Sequence, residues 1–259
     1  MTESLAGRRV LILGASSGVG RSLGLQAAEQ GAAVAFAARR GELVESAAAE
    51  AGESCIGLTC DVRREESCAA VVEDAVAALG GLDALVYATA VDRLCRLRDA
   101  TAEDWRTSFE TNVYGAGLVT VAALPHLRRS KGRAVYVSAS SIDRPLPGMG
   151  VYAATKYALE TMVKGFQAEE PDLCFGTVRI GSALPTGVAD SWDPDLLAEL
   201  AGVWQGLGYV HDNGPGGPMT VEAAAATILA MLTSEVWLRE VTAVSDPGRD
   251  NFRFQKPSD

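Results

Sequence analysis

Short apolar runs alternate with longer amphipathic stretches along the whole chain. Several of the runs are apolar nearly throughout, as strands buried on both faces should be. The candidate strands are Arg9–Leu13, Ala33–Ala37, Cys55–Thr59, Ala84–Tyr87, Ala134–Val137, Cys174–Ile180 and Val241–Val244. The candidate helices between them are Arg21–Gln30, Glu42–Ala51, Glu66–Leu79, Trp105–Leu127 and Tyr152–Glu169. This alternation predicts an α/β fold with a doubly wound parallel sheet of about seven strands, in three layers α/β/α.

No internal repeat or linker divides the chain, so we expect residues 1–259 to form a single domain. Only the segment 182–220 interrupts the alternation, because it is rich in proline, glycine and aromatic residues. It contains Pro185, Trp192, Pro194, Trp204, Tyr209, His211, Pro215 and Pro218. Such a late insertion is typical of a substrate-binding lid whose aromatic rings wall an apolar pocket. The alternative is a helical surface excursion with a flexible Gly-Pro tip.

Composition narrows the function classes. The 23 basic and 33 acidic residues give a net charge of −10, which disfavours nucleic acid and anionic membrane surfaces as partners. Five scattered cysteines and two histidines, in no ligand pattern, predict no metal site and reduced thiols. The apolar run Val10–Leu13 is too short for a signal-peptide core, so we expect a cytoplasmic protein.

A glycine-rich turn follows the first predicted strand directly. It reads Gly14-Ala15-Ser16-Ser17-Gly18-Val19-Gly20 and opens the first helix. Gly14 permits a tight turn, Gly18 lets a pyrophosphate approach the backbone, and Gly20 lets helix and strand pack closely. The free N–H groups and positive end of the helix favour phosphate. The position of the turn predicts a dinucleotide site.

The end of the second strand indicates which dinucleotide binds. A site for NAD usually has an acidic residue there, which binds the ribose hydroxyls. This chain has Arg39 and Arg40 instead, close to Ser16 and Ser17 in the expected fold. Guanidinium groups suit a 2′-phosphate, so the sequence favours NADP(H) over NAD(H). A solvated basic start of the second helix is the alternative.

Tyr152 and Lys156 lie four residues apart, on one face of a predicted helix. A free tyrosine has a pKa near 10, which is too high for easy proton transfer at neutral pH. We expect the Lys156 charge and an oxidised nicotinamide to lower that pKa. The pair becomes informative because the phosphate turn precedes it.

Together these features resemble the short-chain dehydrogenase/reductase family over nearly the whole chain, which implies a Rossmann fold. The resemblance implies that Asp61 and Val62 border the adenine and that Lys156 also holds the nicotinamide ribose. It further implies that Asn112 supports a proton-relay water and that Thr186 binds the carboxamide. Tyr152 would then be the acid in reduction and the base in oxidation.

Three positions depart from the family pattern. The motif Asn-Asn-Ala-Gly, which borders the cofactor, is replaced by Tyr87-Ala88-Thr89-Ala90, so Ala88 and Thr89 are the expected cofactor contacts there. A Pro-Gly pair after strand six is replaced by Gly181-Ser182, which leaves Ser182 as the candidate contact.

The third departure concerns the catalytic serine. The position that usually holds it is Ala139, with Ser138, Ser140 and Ser141 nearby. The serine hydroxyl donates a hydrogen bond to the substrate oxygen. We favour Ser140 over Ser138 for that task, because a residue inside the strand is aimed less freely; a site without a catalytic serine is the remaining alternative.

The leading hypothesis is therefore an NADP(H)-dependent ketoreductase or alcohol dehydrogenase with a moderately apolar small-molecule substrate. The alternative is a cofactor-binding protein with little or no turnover, which acts as a sensor or partner subunit. The resemblance also implies a homodimer or homotetramer, formed through the helices Trp105–Leu127 and Tyr152–Glu169.

Overall fold

The structure is a computed structural model that describes residues 5–187, 192–206 and 218–245. Seven parallel strands form one sheet: β1 (Arg9–Leu13), β2 (Ala33–Ala38), β3 (Ile56–Thr59), β4 (Ala84–Tyr87), β5 (Arg133–Ala139), β6 (Cys174–Ile180) and β9 (Glu240–Ala243). Their order in space is β3-β2-β1-β4-β5-β6-β9. All seven predicted strands are confirmed, and β5 extends two residues beyond its predicted end, so that it includes Ser138 and Ala139.

Helices cover both faces of the sheet. They are α1 (Gly18–Glu29), α2 (Gly41–Ala51), α3 (Glu65–Leu79), α4 (Ala102–Phe109), α5 (Gly115–Ser130), α6 (Gly150–Glu169), α7 (Pro194–Gly206) and α8 (Val221–Thr233). Along β1, Val10 and Ile12 pack toward α1, α2 and α8, whereas Leu11 and Leu13 pack toward α3, α5 and α6. Successive strand residues face opposite sides, so the apolar runs supply two cores. The predicted three-layer α/β/α architecture is confirmed.

The long helix predicted at Trp105–Leu127 is interrupted. The structure has α4, then a π-helical turn at Glu110–Tyr114, then α5. Thr101 begins α4 with a capping box, in which its hydroxyl accepts from Asp104 N–H and Asp104 accepts from Thr101 N–H. A π turn inserts an extra residue into the helix and commonly occurs at functional sites. Here the turn carries Asn112 toward the sheet.

The two ends of segment 182–220 are joined by a pairing that the sequence pattern did not predict. β7 (Ala183–Leu184) and β8 (Met219–Thr220) form a small parallel sheet, and α7 lies between them along the chain. Residues 188–191 and 207–217, including Tyr209, His211 and Pro215 of the predicted lid, lie outside the described residues. The described part of the segment therefore leaves and rejoins the domain at one place.

The functional residues gather where strands end. The strand order reverses between β1 and β4, and open parallel sheets bind ligands beside such a switch point, at the carboxyl ends of their strands. The turns after β1, β4, β5 and β6 all begin at this edge. Within the described ranges, no helix has both the length and the apolar character that a membrane crossing needs.

Candidate active site

At two positions in the turn after β1, only glycine fits. Gly14 has a φ of +86°, and a Cβ there would lie 2.7 Å from Thr89 N and 2.8 Å from Ala88 O. A Cβ on Gly20 would lie 2.5 Å from Gly14 O. Side chains rarely adopt such a φ and never approach backbone so closely. The turn therefore packs tightly against Ala88 and Thr89, the residues predicted to contact the cofactor after β4.

Gly18 brings the start of α1 close to Thr186. Its φ is +56°, and a Cβ there would lie 3.5 Å from the Thr186 methyl group. Ser17, the residue before the helix, makes no side-chain bond to its first N–H groups. Val19 packs partly buried against the α1 side of the core. Thr186 therefore lies beside the positive end of α1. Uncapped N–H groups at such a helix terminus favour the binding of an anion.

Arg40 joins the second strand to the phosphate turn. Its Nη2 donates to Ser16 Oγ and to Ser17 Oγ, both at 2.8 Å. Arg39 is exposed, and its charge contributes to a lowered pKa of Asp61. A guanidinium held between two hydroxyls offers a fork of donors that fits a phosphate monoester.

Asp61 and Val62 follow β3 at the same edge. The Asp61 carboxylate accepts from Arg63 Nε at 2.9 Å and from Arg63 Nη2 at 2.6 Å. These bonds lower the pKa of Asp61 to about 2. Val62 is buried, and a Cβ on Gly115 would lie 2.7 Å from Val62 O, so this turn packs against the start of α5. Ser182 is exposed at the start of the lid segment, and its carbonyl accepts from Met219 N–H at 2.8 Å.

Tyr152 and Lys156 meet on the face of α6 that lies toward the sheet. Lys156 Nζ lies 5.6 Å from the centroid of the Tyr152 ring and donates to Val137 O at 2.8 Å. Lys156 is only 1% exposed. Burial lowers the pKa of Lys156 to about 8, although the charges of Asp92 and Glu160 act to raise it.

The expected lowering of the tyrosine pKa is not found in the protein by itself. Burial raises the pKa of the Tyr152 phenol, and the negative charge of Asp92 raises it further. Removing the phenol from water disfavours the charged phenolate. A phenol that keeps its proton is suited to act as an acid.

Asn112 is completely buried in the π turn, and both the oxygen and the nitrogen of its side-chain amide form hydrogen bonds. Its Oδ1 accepts from Val91 N–H at 2.8 Å, while its Nδ2 donates to Val91 O at 2.8 Å and to Thr155 Oγ1 at 2.9 Å. The amide therefore joins the loop after β4 to α6, next to Tyr152 and Lys156.

Tyr87 replaces the first asparagine of the family motif and forms a hydrogen bond to the same π turn. Its ring is buried, and its hydroxyl donates to Thr111 O at 2.5 Å. A Cβ on Gly115 would lie 2.9 Å from that hydroxyl. The departure from the family motif thus leaves the sheet linked to the π turn through a tyrosine.

The serines near Ala139 differ in their surroundings. Ser138 lies inside β5, is buried, and its Oγ has no hydrogen-bond partner among the described residues. Ala139 is buried at the end of the strand. Ser140 is half-buried and begins a 3-10 turn, Ser140–Ile142. Ser140 is thus the first of them beyond the strand, as the sequence argument assumed.

Sequence reasoning missed Asp92. This aspartate is 1% exposed, and within the described ranges neither carboxyl oxygen has a hydrogen-bond partner. Burial raises its pKa to about 7, against the attraction of Lys156. The available signal was an acidic residue in the apolar stretch after β4. Its burial beside α6 depends on tertiary packing.

Three segments meet over the site. Trp192 Nε1 donates to Asp92 O at 3.3 Å, and Trp204 Nε1 donates to Pro147 O at 2.8 Å. The two rings meet edge to face with centroids 6.4 Å apart. Arg96 pairs with Glu199 of α7. The described part of segment 182–220 thus contacts the loops after β4 and β5.

Comparison with known proteins agrees with this geometry. The family model described as short chain dehydrogenase matches residues 8–192. A curated relative, an 11-beta-hydroxysteroid dehydrogenase-like protein of Arabidopsis thaliana, is 31% identical over 206 residues, which are 77% of this chain and 65% of that protein. Two further plant relatives match this chain over 57% and 53% of their own length. The chain thus spans between about half and two thirds of the length of these relatives.

Solved structures share the fold over almost the whole chain. A short-chain dehydrogenase from Streptomyces avermitilis superposes with a TM-score of 0.78 at 26% identity, over 93% of this chain and 90% of that chain. An alcohol dehydrogenase from Thermococcus sibiricus, complexed with 5-hydroxy-NADP, superposes with a TM-score of 0.79 at 24% identity, over 95% of this chain and 99% of that chain. Because the family match takes in the phosphate turn, Asn112 and the Tyr152–Lys156 pair, the chain belongs to the short chain dehydrogenase family.

Proposed function

We propose that this protein is an NADP(H)-dependent oxidoreductase of the ketoreductase or alcohol dehydrogenase type. The observation that carries the proposal is the pairing of Tyr152 with a buried Lys156, at the sheet edge that also holds the phosphate turn. Buried ionisable groups with shifted pKa values concentrate at functional sites.

The residues at this edge fit a nicotinamide dinucleotide. Gly14 and Gly20 let the turn pack closely against backbone, Gly18 brings the start of α1 next to Thr186, and the Ser17 side chain does not cap the first N–H groups of that helix. We assign Gly14, Ser16, Ser17, Gly18, Val19 and Gly20 to the pyrophosphate side, and Asp61, Val62, Ala88, Thr89, Ser182 and Thr186 to the adenine and nicotinamide sides. Arg40, fixed by two serine hydroxyls, and the exposed Arg39 support a preference for the 2′-phosphate of NADP(H) over NAD(H).

When bound, the cofactor supplies or accepts the hydride at the substrate carbon. Tyr152 gives its proton to the carbonyl oxygen in reduction and takes it back in oxidation. The positive charge of Lys156, whose Nζ lies 5.6 Å from the centroid of the Tyr152 ring, stabilises the phenolate that remains. Asn112 fixes α6 relative to the loop after β4, and we assign Ser140, with Ser138 as the alternative, to hydrogen-bond the substrate oxygen.

The substrate is a moderately apolar small molecule, held under the described part of the predicted lid around Trp192 and Trp204. The indole contacts of Trp192 and Trp204 with the neighbouring loops support a lid, and the rings provide an apolar wall. The names of the plant relatives point to hydroxysteroids as one class to test. A single domain over residues 1–259 and a cytoplasmic location stay predictions.

We also propose that the protein assembles as a homodimer or homotetramer through α4, α5 and α6. These helices, with the π turn between α4 and α5, expose apolar side chains: Trp105, Tyr114, Val121 and Tyr157. Tyr114 and Val121 line one groove, and an exposed apolar patch commonly marks a protein interface.

The decisive experiment follows NADPH and NADH oxidation with ketones of graded size, including cyclic and steroidal ones, for the parent and for Tyr152→Phe. We expect turnover with NADPH and a loss of about 100-fold or more in kcat for the variant. Ser140→Ala and Ser138→Ala, assayed alongside, identify the serine. Equal rates for parent and Tyr152→Phe would remove the proposed proton donor, and tight NADPH binding without turnover would favour the cofactor-binding alternative.

A further inference from the structure

The Asp92 carboxyl is an ionisable group that the mechanism above does not use. It is 1% exposed, and no described residue offers either oxygen a hydrogen bond. Buried polar groups in proteins are nearly always hydrogen-bonded, so an orphan carboxyl at a site calls for a partner from outside the chain. Its charge acts on both Tyr152 and Lys156, so the carboxyl lies close to the reacting pair.

The surrounding contacts hold Asp92 firmly. Its neighbour Val91 is bound at both backbone groups by the Asn112 amide, each at 2.8 Å. From the other side, Trp192 of the lid segment donates to the Asp92 carbonyl at 3.3 Å. These bonds fix the backbone that carries the Asp92 side chain, and its burial restricts how that side chain can move. Preorganised donors are the ones that stabilise developing charge effectively.

Ala139 stands at the position that usually holds the catalytic serine. The methyl group at the end of β5 cannot donate a hydrogen bond to a substrate oxygen, and it is buried at the same sheet edge. A buried carboxylic acid can make such a donation, provided that it keeps its proton.

We propose that Asp92 is a further catalytic residue, which donates a hydrogen bond from its protonated carboxyl to the reacting oxygen of the substrate. During reduction the hydride adds to the carbonyl carbon, the C=O π electrons move to oxygen, and Tyr152 transfers its proton to that oxygen. Asp92 keeps its own proton and shares it only as a hydrogen bond, so the step balances without another reactant. Burial of the carboxyl, which raises its pKa to about 7, supports the protonated form.

Several ionisable groups face Asp92 and enter its titration. Tyr152 and Lys156 approach from α6, and Cys95 lies on the same loop. Glu160 acts on Lys156 but is itself paired with Arg179 at 2.7 Å. The alternative role is an ionised Asp92 that accepts a hydrogen bond from a hydroxyl or ammonium group of the substrate.

The inference rests on the proposed reductase function, and three variants test it. Asp92→Ala removes the donor, Asp92→Asn keeps a donor that cannot ionise, and Asp92→Ala with Ala139→Ser returns a hydroxyl to the usual position. We expect Asp92→Ala to lose about 100-fold in kcat, as for one oxyanion donor, and Asp92→Asn to lose less than about tenfold. The double variant should recover at least about tenfold over Asp92→Ala.

The outcomes separate this inference from the proposed function. If the parent turns over and Tyr152→Phe does not, but Asp92→Ala stays within about threefold of the parent, only the role of Asp92 is wrong. If Asp92→Asn is as impaired as Asp92→Ala, the donor role is overturned. A parent that reduces no carbonyl compound overturns both.

A second readout does not depend on turnover. NMR of the protein with carbon-13 in its aspartate carboxyl groups should show one titration near neutral pH that is absent from Asp92→Asn. A midpoint for Asp92 near the ordinary aspartate value of about 4 would mean that it cannot donate at neutral pH, and would overturn the proposal.

Discussion

At the scale of single residues, Asp92 and Lys156 are two buried ionisable groups that partly compensate each other. Lys156 lowers the pKa of Asp92, and Asp92 raises the pKa of Lys156, while burial acts in the opposite direction on both and is the larger cause. A charge taken out of water is costly unless it is paired and hydrogen-bonded. The pair therefore makes the stability of the fold depend on pH.

Asp92→Asn should show that dependence. The pKa of Asp92 is raised to about 7, so between about pH 4 and pH 7 the folded chain holds a proton that the unfolded chain releases. The contribution of this group to stability is complete below that window and is lost as pH rises through it. We expect the unfolding free energy of Asp92→Asn, relative to the parent, to rise between about pH 5 and about pH 7.5 in urea denaturation. A constant difference would contradict the raised pKa.

Arg40→Glu tests the cofactor preference at a single side chain. It removes the guanidinium held by Ser16 and Ser17 and puts a negative charge in its place. We expect the Kd for NADPH to rise at least about tenfold and the Kd for NADH to change little, because only NADPH carries the 2′-phosphate. Fluorescence titration measures both. Arg129→Glu, an equal charge change at the far end of α5, is the control and should leave both constants unchanged.

At the scale of elements, the π turn and the described part of segment 182–220 bring residues to the candidate site from outside the regular alternation. The long predicted helix between residues 105 and 127 showed the expected periodicity, but a single inserted turn moves Asn112 onto Val91 and Thr155. The bond from Tyr87 to Thr111 holds that turn. No local sequence pattern predicts such a turn, because the residues that stabilise it are distant in sequence.

Trp204→Phe tests the lid. The variant keeps an aromatic ring but loses the hydrogen bond from the indole to Pro147 O, which ties α7 to the loop after β5. We expect KM for the carbonyl substrate to rise about three- to tenfold, as for one neutral hydrogen bond, while the Kd for NADPH stays unchanged. Trp237→Phe is the matched control, since its indole donates to Phe175 O at the same 2.8 Å but far from the site. Equal effects of the two variants on KM would argue against a lid.

At the scale of the whole molecule, the open question is assembly through α4, α5 and α6. Val121 is 60% exposed and Tyr114 is 55% exposed on this face, next to Met162 of α6. Exposed apolar area gains free energy when a partner covers it, at roughly 25 cal/mol per Å². The groove at this place is lined mostly by apolar side chains of α5, of the π turn before it, and of α3 and α6, and is therefore suited to a second copy.

Val121→Asp should weaken that assembly. We expect light scattering at micromolar concentration to show a homodimer or homotetramer for the parent, and mainly a 27.1 kDa species for the variant, because a charge in a dry interface is costly. Val236→Asp, at a valine that is 63% exposed elsewhere, is the control and should keep the parent mass. A parent that runs as a monomer would contradict the expected oligomer.

The sequence by itself determined the strands, the phosphate turn and the Tyr152–Lys156 pair. Each of these depends on neighbours along the chain: a strand on consecutive apolar residues, the turn on glycines at short spacing, the pair on one helical turn. Apolar runs between residues 9 and 244 were therefore sufficient to predict the seven strands of the sheet. They were also sufficient to predict its three layers.

Only the tertiary structure decided which polar groups are buried and against what. The orphan carboxyl of Asp92, the amide bonds of Asn112, the raised pKa of Tyr152 and the pairing of β7 with β8 all join segments far apart in sequence. Burial and pKa depend on every group that surrounds a side chain, whereas periodicity reports only which face it occupies. For that reason the chemistry at the end of β4 became visible only in the folded chain.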